Sequence, residues 1–388
     1  MLDHALTPLP ADRKARIIVV GNEKGGAGKT TISTHLIISL LALGFEVGSI
    51  DVDSRQLSLS RYLDNRRKTI INKGINLYYP NHAIVRLSPF NVIAEAEQDE
   101  ARRFYAALSK ACMRDDFVVI DTPGSNSNLS RLAHSYADMV ITPINDSFVD
   151  LDVIVQVERG SLNIEKPGIY SEMVWEQKIR KAKRDRGGID WIIVRNRLAS
   201  IDAKNKRNIE KVLAKLSSRI GLRVATGFGE RVIYREMFLH GLTLLDLNEK
   251  GTGVPLSMSH ISAKQELREF LKELNIPEVN ERLSQPVEKE MPKATPEKIL
   301  SEEENALSEE TVARQEEQPE EVLEPTTDVP VEDSVVGEHN AEPVWYRETT
   351  VIDAIASGEV DVEPEITVAY GDKKAEETLL LQEEDMLV

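Results

Sequence analysis

The chain has 388 residues, room for one large domain or two, with 65 acidic and 48 Lys/Arg residues for a net charge of −17. A single cysteine, Cys112, excludes an intrachain disulfide framework and a cysteine-rich metal site. No stretch approaches the roughly 18 uninterrupted apolar residues of a membrane span, and residues 1–14 lack a secretory core, so a cytoplasmic protein with no stable membrane insertion is expected.

The charge is uneven. Residues 281–388 hold 31 acidic and 8 basic residues, net −23, which leaves residues 1–280 at net +6. The acidity belongs to the tail. The remainder is mildly basic, which suits an anionic partner such as nucleic acid.

Residues 1–14 read as a short flexible arm. The apolar run Ile17-Ile18-Val19-Val20 then leads into Gly21-Asn22-Glu23-Lys24-Gly25-Gly26-Ala27-Gly28-Lys29-Thr30-Thr31. A helical run to Leu43 follows, with Ile32, Leu36, Leu40 and Leu43 on one face and Gly44 as its stop. Strand, glycine-rich loop, helix is the context of a phosphate-binding loop. Glycines let successive N–H groups converge on phosphates, and the helix N-terminus adds positive potential. The nucleotide-binding candidates are Gly25, Gly26, Ala27, Gly28, Lys29, Thr30 and Thr31. Lys29 suits the β/γ-phosphates of ATP, and the Thr30 hydroxyl suits Mg2+. The pattern GxxxxGK[ST] is matched imperfectly, because Glu23 stands at its first position. The loop also carries a second lysine, Lys24.

A second strand, Phe45 to Ile50, ends in Asp51-Val52-Asp53. The two carboxylates share a side at the ligand edge of an α/β sheet, where they suit metal handling and water positioning. Residues 57–97 resist detailed reading beyond a basic cluster (Arg61, Arg66, Arg67, Lys68) and a loop at Ser88-Pro89. Residues 98–112 form an amphipathic helix with Phe104, Leu108 and Cys112 on one face. Phe117-Val118-Val119-Ile120 followed by Asp121-Thr122-Pro123-Gly124 reads as a central parallel strand with an acidic tip. Asp121 would meet Mg2+ through water, and the Gly124 N–H would sense the γ-phosphate.

Ala137 to Pro143 gives another buried strand, with Ile144-Asn145-Asp146-Ser147-Phe148-Val149-Asp150 at its ligand edge. Trp191 to Val194 gives one more, tipped by Arg195-Asn196-Arg197. Residues 203–219 are helical, with Ile209, Val212, Leu213 and Leu216 inward. Lys204, Arg207, Lys211 and Lys215 share the opposite side. With Arg195, Arg197, Arg219 and Arg231 they form a candidate phosphate-contact surface for double-stranded DNA, free of aromatics and hence of base stacking. An ordinary solvated helix with Glu210 as partner is the competing reading. Residues 260–275 close the domain, which spans 15–280. From 281 to 388 Glu, Pro, Ser and Thr predominate, and a long disordered acidic tail is expected, interrupted by Val344-Trp345-Tyr346 and Leu379-Leu380-Leu381.

The loop Lys24-Gly25-Gly26-Ala27-Gly28-Lys29-Thr30 resembles the deviant Walker A motif of the ParA/MinD ATPase family. That resemblance implies a P-loop NTPase fold, α/β with a mostly parallel central sheet flanked by helices. It implies a slow ATPase using ATP and Mg2+, and a homodimer when ATP-bound. Catalytic roles carry over to Lys24, reaching the partner's nucleotide, to Lys29, holding its own, and to Asp53, orienting the attacking water. Asp51 carries the family's metal association, with Thr30 and Asp121, and Asn196 the adenine contact. The family commonly continues Pro-Gln after the second Asp, whereas this chain has Ser54-Arg55-Gln56.

Residues 21–29, 145–150, 169–176 and 231–236 are more closely similar to the division-plane positioning branch of that family in alphaproteobacteria. This implies an ATP-bound dimer that blocks FtsZ assembly and binds DNA without sequence preference, and a monomer recruited by ParB. It also implies nucleoid association with enrichment toward the cell poles. A ParA-type ATPase moving DNA or other cargo shares the same loop and patch. A MinD-type membrane cycle would want a basic amphipathic C-terminus, and Gln382-Glu383-Glu384-Asp385 is acidic.

Overall fold

The computed structural model describes residues 7–158, 160–198, 204–249, 251–253, 257–284 and 292–301. The tail from residue 302, with both apolar islands, lies outside the described residues.

The chain alternates strand and helix. In order these are β1 (Arg16–Val20), α1 (Lys29–Ala42), β2 (Val47–Asp51), α2 (Ser58–Lys73), β3 (Asn81–Ile84), α3 (Ile93–Arg114) and β4 (Phe117–Asp121). There follow α4 (Asn128–Tyr136), β5 (Met139–Asn145), α5 (Phe148–Leu151), a hairpin of β6 (Val155–Val157) and β7 (Ile164–Pro167), and α6 (Ile169–Asp185). The series ends with β8 (Asp190–Asn196), α7 (Lys204–Ile220), β9 (Arg223–Ala225), α8 (Ile233–His240), α9 (Met258–Glu273) and α10 (Pro277–Ser284). Seven strands form one sheet in the order β3-β2-β4-β1-β5-β8-β9, and every pairing in it is parallel.

The alternation of side chains explains the layers. Ile18 and Val20 of β1, Phe117 and Val119 of β4 and Ile192 and Val194 of β8 enter one core with α1, α8 and α9. Their neighbours Ile17 and Val19, Val118 and Ile120, and Trp191 and Ile193 enter the other with α3, α4, α6 and α7. A continuous apolar strand is what a sheet covered on both faces requires. β1 lies between β4 and β5, and the chain leaves it toward β2 on one side and reaches β5 on the other. The phosphate loop therefore opens at the switch point of the sheet, where a crevice forms.

Two expectations about the ends are corrected. Residues 7–14 are docked rather than loose, since Tyr136 and Tyr105 hydroxyls donate to the Thr7 and Pro8 carbonyls at 2.8 Å each. Ordered packing also continues past 280, because Ala294 pairs with Leu77 and Ile299 is buried.

Arg66, read from sequence as part of a basic surface cluster, is fully buried. Its guanidinium holds Asp246 in two bonds of 2.7 and 2.9 Å and donates to the Tyr78 and Gly241 carbonyls. Gly241 has φ 60°, and a Cβ there would lie 2.0 Å from the Arg66 nitrogen, so only glycine allows the approach. Burial pushes the Asp246 carboxyl up, but the Arg66 charge and the Arg66 and Thr243 hydrogen bonds outweigh it and hold it below the ordinary range. Its contribution is thus present above the unfolded carboxylate pKa and is lost as acid titrates the folded form. Asp246→Ala leaves a buried guanidinium unpaired and should cost about 3–5 kcal/mol in urea unfolding at neutral pH, whereas Arg66→Met with Asp246→Leu should recover most of it.

Candidate nucleotide site

The loop after β1 is shaped by its own side chains. Asn22 donates to the Pro143 carbonyl at 2.7 Å, and its oxygen accepts from the Lys24 N–H at 3.0 Å. Gly26 and Gly28 take left-handed φ of 76° and 94°. Nothing lies within 4 Å of where a side chain would start at Gly25 or Gly26, so the loop forms an open backbone cradle. The loop after β4 packs directly on it, since a Cβ on Gly124 would lie 3.1 Å from the Gly25 nitrogen.

Lys29 opens α1 with its side chain inward, 8% exposed, donating to the Lys24 carbonyl at 3.0 Å. Burial lowers its pKa, opposed by the charges of Asp121 and Asp53. Thr30 and Ser33 donate to the two oxygens of Asp121 at 2.7 and 2.9 Å. Burial, with the Asp51 charge nearby, pushes the Asp121 carboxyl up to about 7, against the pull of those hydroxyls and Lys29. Thr30 and Asp121 are hard oxygen donors already adjacent beside the cradle, a donor set that fits Mg2+.

The structure uses Asp51 differently from the expectation. One of its oxygens accepts from the Asp53 N–H at 3.0 Å and the other from the Ser60 N–H and hydroxyl at 2.9 and 2.8 Å. It anchors the first turn of α2 and is fully buried. Asp53 lines the cleft with Lys29, Thr30 and Gly124.

Asn196, expected at adenine, donates to the Ala27 carbonyl at 2.8 Å and braces the loop from the tip of β8. It also lines a second cleft with Thr31, Phe228, Tyr234 and Arg235. Arg197 borders both clefts in a left-handed conformation, φ 52°. The sequence reading assigned it to DNA, and in the structure it is exposed beside the loop. Its neighbour Arg195 is likewise no surface contact. Its guanidinium is 7% exposed and bonds Asp146 and Glu210 at 2.6 and 2.5 Å, pinning α7 to the sheet edge. Arg231 grips Glu266 of α9 in two bonds of 2.5 and 2.7 Å beside the second cleft. Arg197 and the α7 row Arg207, Lys211, Lys215 and Arg219 face outward. The Lys204 side chain lies outside the described residues. Sequence reasoning missed Ser33 and set Asp150 at the ligand edge without a role; the structure pairs Asp150 with Lys24. No spacing rule signals either contact.

A family model described as ATPase MipZ matches residues 16–278. The chain belongs to the MipZ family. This agrees with the ParA/MinD resemblance of the two-lysine loop. MinD of Thermotoga maritima is 26% identical over 279 residues, 66% of this chain and 96% of that protein. ParA of Myxococcus xanthus is 28% identical over 178 residues, 42% of this chain and 62% of that one. ParA of Caulobacter vibrioides is 30% identical over 175 residues, 38% and 65% respectively. The solved structure of MinD with Mg-ADP from Pyrococcus horikoshii covers 67% of this chain and 97% of its own, at 18% identity and a TM-score of 0.42. This MipZ-family chain is an ATP-hydrolysing enzyme, and Thr30 and Asp121 would hold the Mg2+ that accompanies ATP. The metal, when bound, neutralises charge on the phosphate oxygens.

The raised Asp121 carboxyl carries a stability cost in the empty protein. A folded pKa near 7 against about 3.9 unfolded means the penalty is absent below the lower value and grows as pH rises to the upper one. Asp121→Asn should therefore stabilise the nucleotide-free protein at pH 8 by about 2 kcal/mol or more, and by less at pH 5, in urea unfolding with EDTA.

Proposed function

We propose that this chain is an ATP-gated dimerisation switch in the spatial regulation of cell division. One observation carries the reading. The loop holds one lysine turned inward, Lys29, and one at its rim, Lys24, whose side chain is 32% exposed. Lys29 is placed for the phosphates of its own nucleotide, and Lys24 for those of a second subunit. Asp53, beside Lys29, orients the attacking water and so sets how long the dimer lasts. Asn196 holds the loop while bordering the cleft that would take the base.

The finer assignment follows the MipZ family. The ATP-bound dimer inhibits FtsZ assembly, ParB recruits the monomer, and the dimer rests on double-stranded DNA through the outward face of α7. Lys211 and Lys215 are exposed there, and dimerisation doubles their number. This places the protein on the nucleoid with enrichment toward the poles. A second reading, a ParA-type ATPase for partitioning DNA or other cargo, is favoured by the ParA relatives and uses the same switch and helix face.

One experiment tests the switch and a second separates the readings. Asp53→Ala should bind Mg-ATP, hydrolyse it at least tenfold more slowly and persist as a dimer; rapid turnover would sink the assignment. In FtsZ pelleting with this variant, polymer should fall with ATP and not with ADP; unaffected polymer beside ATP-dependent DNA binding would move the protein to the partitioning reading. Separately, Lys211→Glu with Lys215→Glu should weaken DNA binding by at least tenfold irrespective of sequence while leaving ATP turnover unchanged.

A further inference from the structure

We infer that His134 and Tyr170 are positioning residues for ATP hydrolysis: a buried hydrogen-bond chain through them fixes α4, and with it the loop before α4, against the base of the phosphate loop. The inference rests on the cleft being the nucleotide site and adds residues that lie behind it.

The chain joins four elements. The Trp191 indole N–H of β8 donates to the Thr142 hydroxyl of β5 at 2.9 Å, and that hydroxyl donates to the Tyr170 hydroxyl of α6 at 3.2 Å. The Tyr170 oxygen lies 2.8 Å from Nε2 of His134 in α4, whose Nδ1 lies 2.7 Å from the Ser130 carbonyl. The two ends fix every proton between them. An indole N–H can only donate, so Thr142 accepts there and directs its own proton to Tyr170. A carbonyl can only accept, so Nδ1 carries the imidazole proton and Nε2 offers its lone pair to the Tyr170 hydroxyl. Both ends assign the same direction. Burial lowers the His134 pKa to about 4, against the pull of the Ser130 carbonyl, so the ring is neutral at neutral pH as the chain requires. All four side chains are buried, and removing one hydroxyl leaves its neighbours without a partner.

The phosphate loop starts on top of this chain. Gly21 donates its N–H to the Ile141 carbonyl at 3.0 Å and Asn22 reaches the Pro143 carbonyl at 2.7 Å, so the loop's first two residues straddle Thr142. A Cβ on Gly21 would lie 2.4 Å from His134 Nε2 and 2.7 Å from the Tyr170 hydroxyl, so only glycine allows the approach. At its other end α4 is capped by Ser127, which accepts from the Ser130 N–H, and residues 122–127 line the cleft with Lys29 and Asp53. A helix of nine residues carries a displacement at His134 to Ser127 as a rigid piece, and from there to Gly124, whose backbone packs on Gly25. His134 and Tyr170 thus set where one wall of the cleft stands, acting through α4 and touching no reacting atom.

Tyr170→Phe removes one oxygen from the chain and little else. In steady-state turnover of Mg-ATP its kcat should fall roughly five- to fiftyfold, the range for a cleft wall displaced by under about 1 Å, while KM and ADP affinity stay within about twofold. His134→Leu should lose as much, whereas His134→Gln, whose amide oxygen can take the Tyr170 proton, should keep most of the turnover. Tyr170→Phe combined with His134→Leu should be no slower than either alone, because both cut one chain. Val174→Ala, in the same helix and core but outside the chain, should lower the urea midpoint at least as far and leave kcat near the parent. Thr142→Val carries the expectation of Tyr170→Phe if that variant does not fold. Unchanged kcat in the folded hydroxyl variants, or an equal loss in Val174→Ala, overturns the positioning role and leaves the nucleotide site intact. A parent chain that neither binds nor hydrolyses Mg-ATP overturns both.

Discussion

The carboxylate of Asp121 holds the site together. It stands at the tip of β4 beside Val20 at the tip of β1, because the two strands pair in parallel with their ends in register. From there it takes hydroxyls from Thr30 and Ser33 in the first turn of α1. Loop and helix are thereby tied to the sheet at the point where the backbone must curl. A buried carboxylate is an expensive tie, and its desolvation pushes its pKa up to about 7. A cation beside it would offset that desolvation.

The same logic runs through the rest of the nucleotide edge. Lys29 rests on a backbone carbonyl, Lys24 on Asp150, Asn196 on the Ala27 carbonyl and Asp51 on the first turn of α2. Each of these four groups has a partner within the chain, so the cradle keeps its shape without ligand. Such a site does not have to fold around its nucleotide. It exchanges partners, and exchange between near-equal partners is what allows a modest ligand energy to move a population. The packing of Gly124 on Gly25 makes the exchange felt in the next loop, because neither backbone can shift alone.

What was legible in the sequence was whatever is encoded locally. The β1 strand, the cradle and α1 follow from an apolar run, glycines and helical spacing within some 30 residues. The inward row of α7, Ile209, Val212, Leu213 and Leu216, is recoverable from period alone. What was not legible depended on distance. Arg66 reads as one basic residue among four until the fold brings Asp246, 180 residues away, against it. Arg195 follows an apolar strand and precedes a basic helix, so charge counting assigns it to the surface; Asp146 and Glu210 decide otherwise. Asp51 and Asp53 are equivalent by strand period, and only the arrival of Ser60 separates an anchor from a residue lining the cleft. The docked residues 7–14 show the same thing, since their partners are tyrosine hydroxyls more than 90 residues away.

The corrections to the basic surface sharpen the physical picture. With Arg195 and Arg231 bound to carboxylates, the candidate contacts that stay exposed are Arg197 and the α7 row. A handful of lysines and arginines on one helix gives weak, salt-sensitive attraction to a polyanion, since each contact releases about one counterion. Two such rows held rigidly in one particle multiply their effect, because the second engages at the high local concentration set by the first. Weakness per subunit is then the useful property. In the proposed switch, a strong patch would bind DNA in either nucleotide state, whereas a weak one makes binding conditional on the dimer.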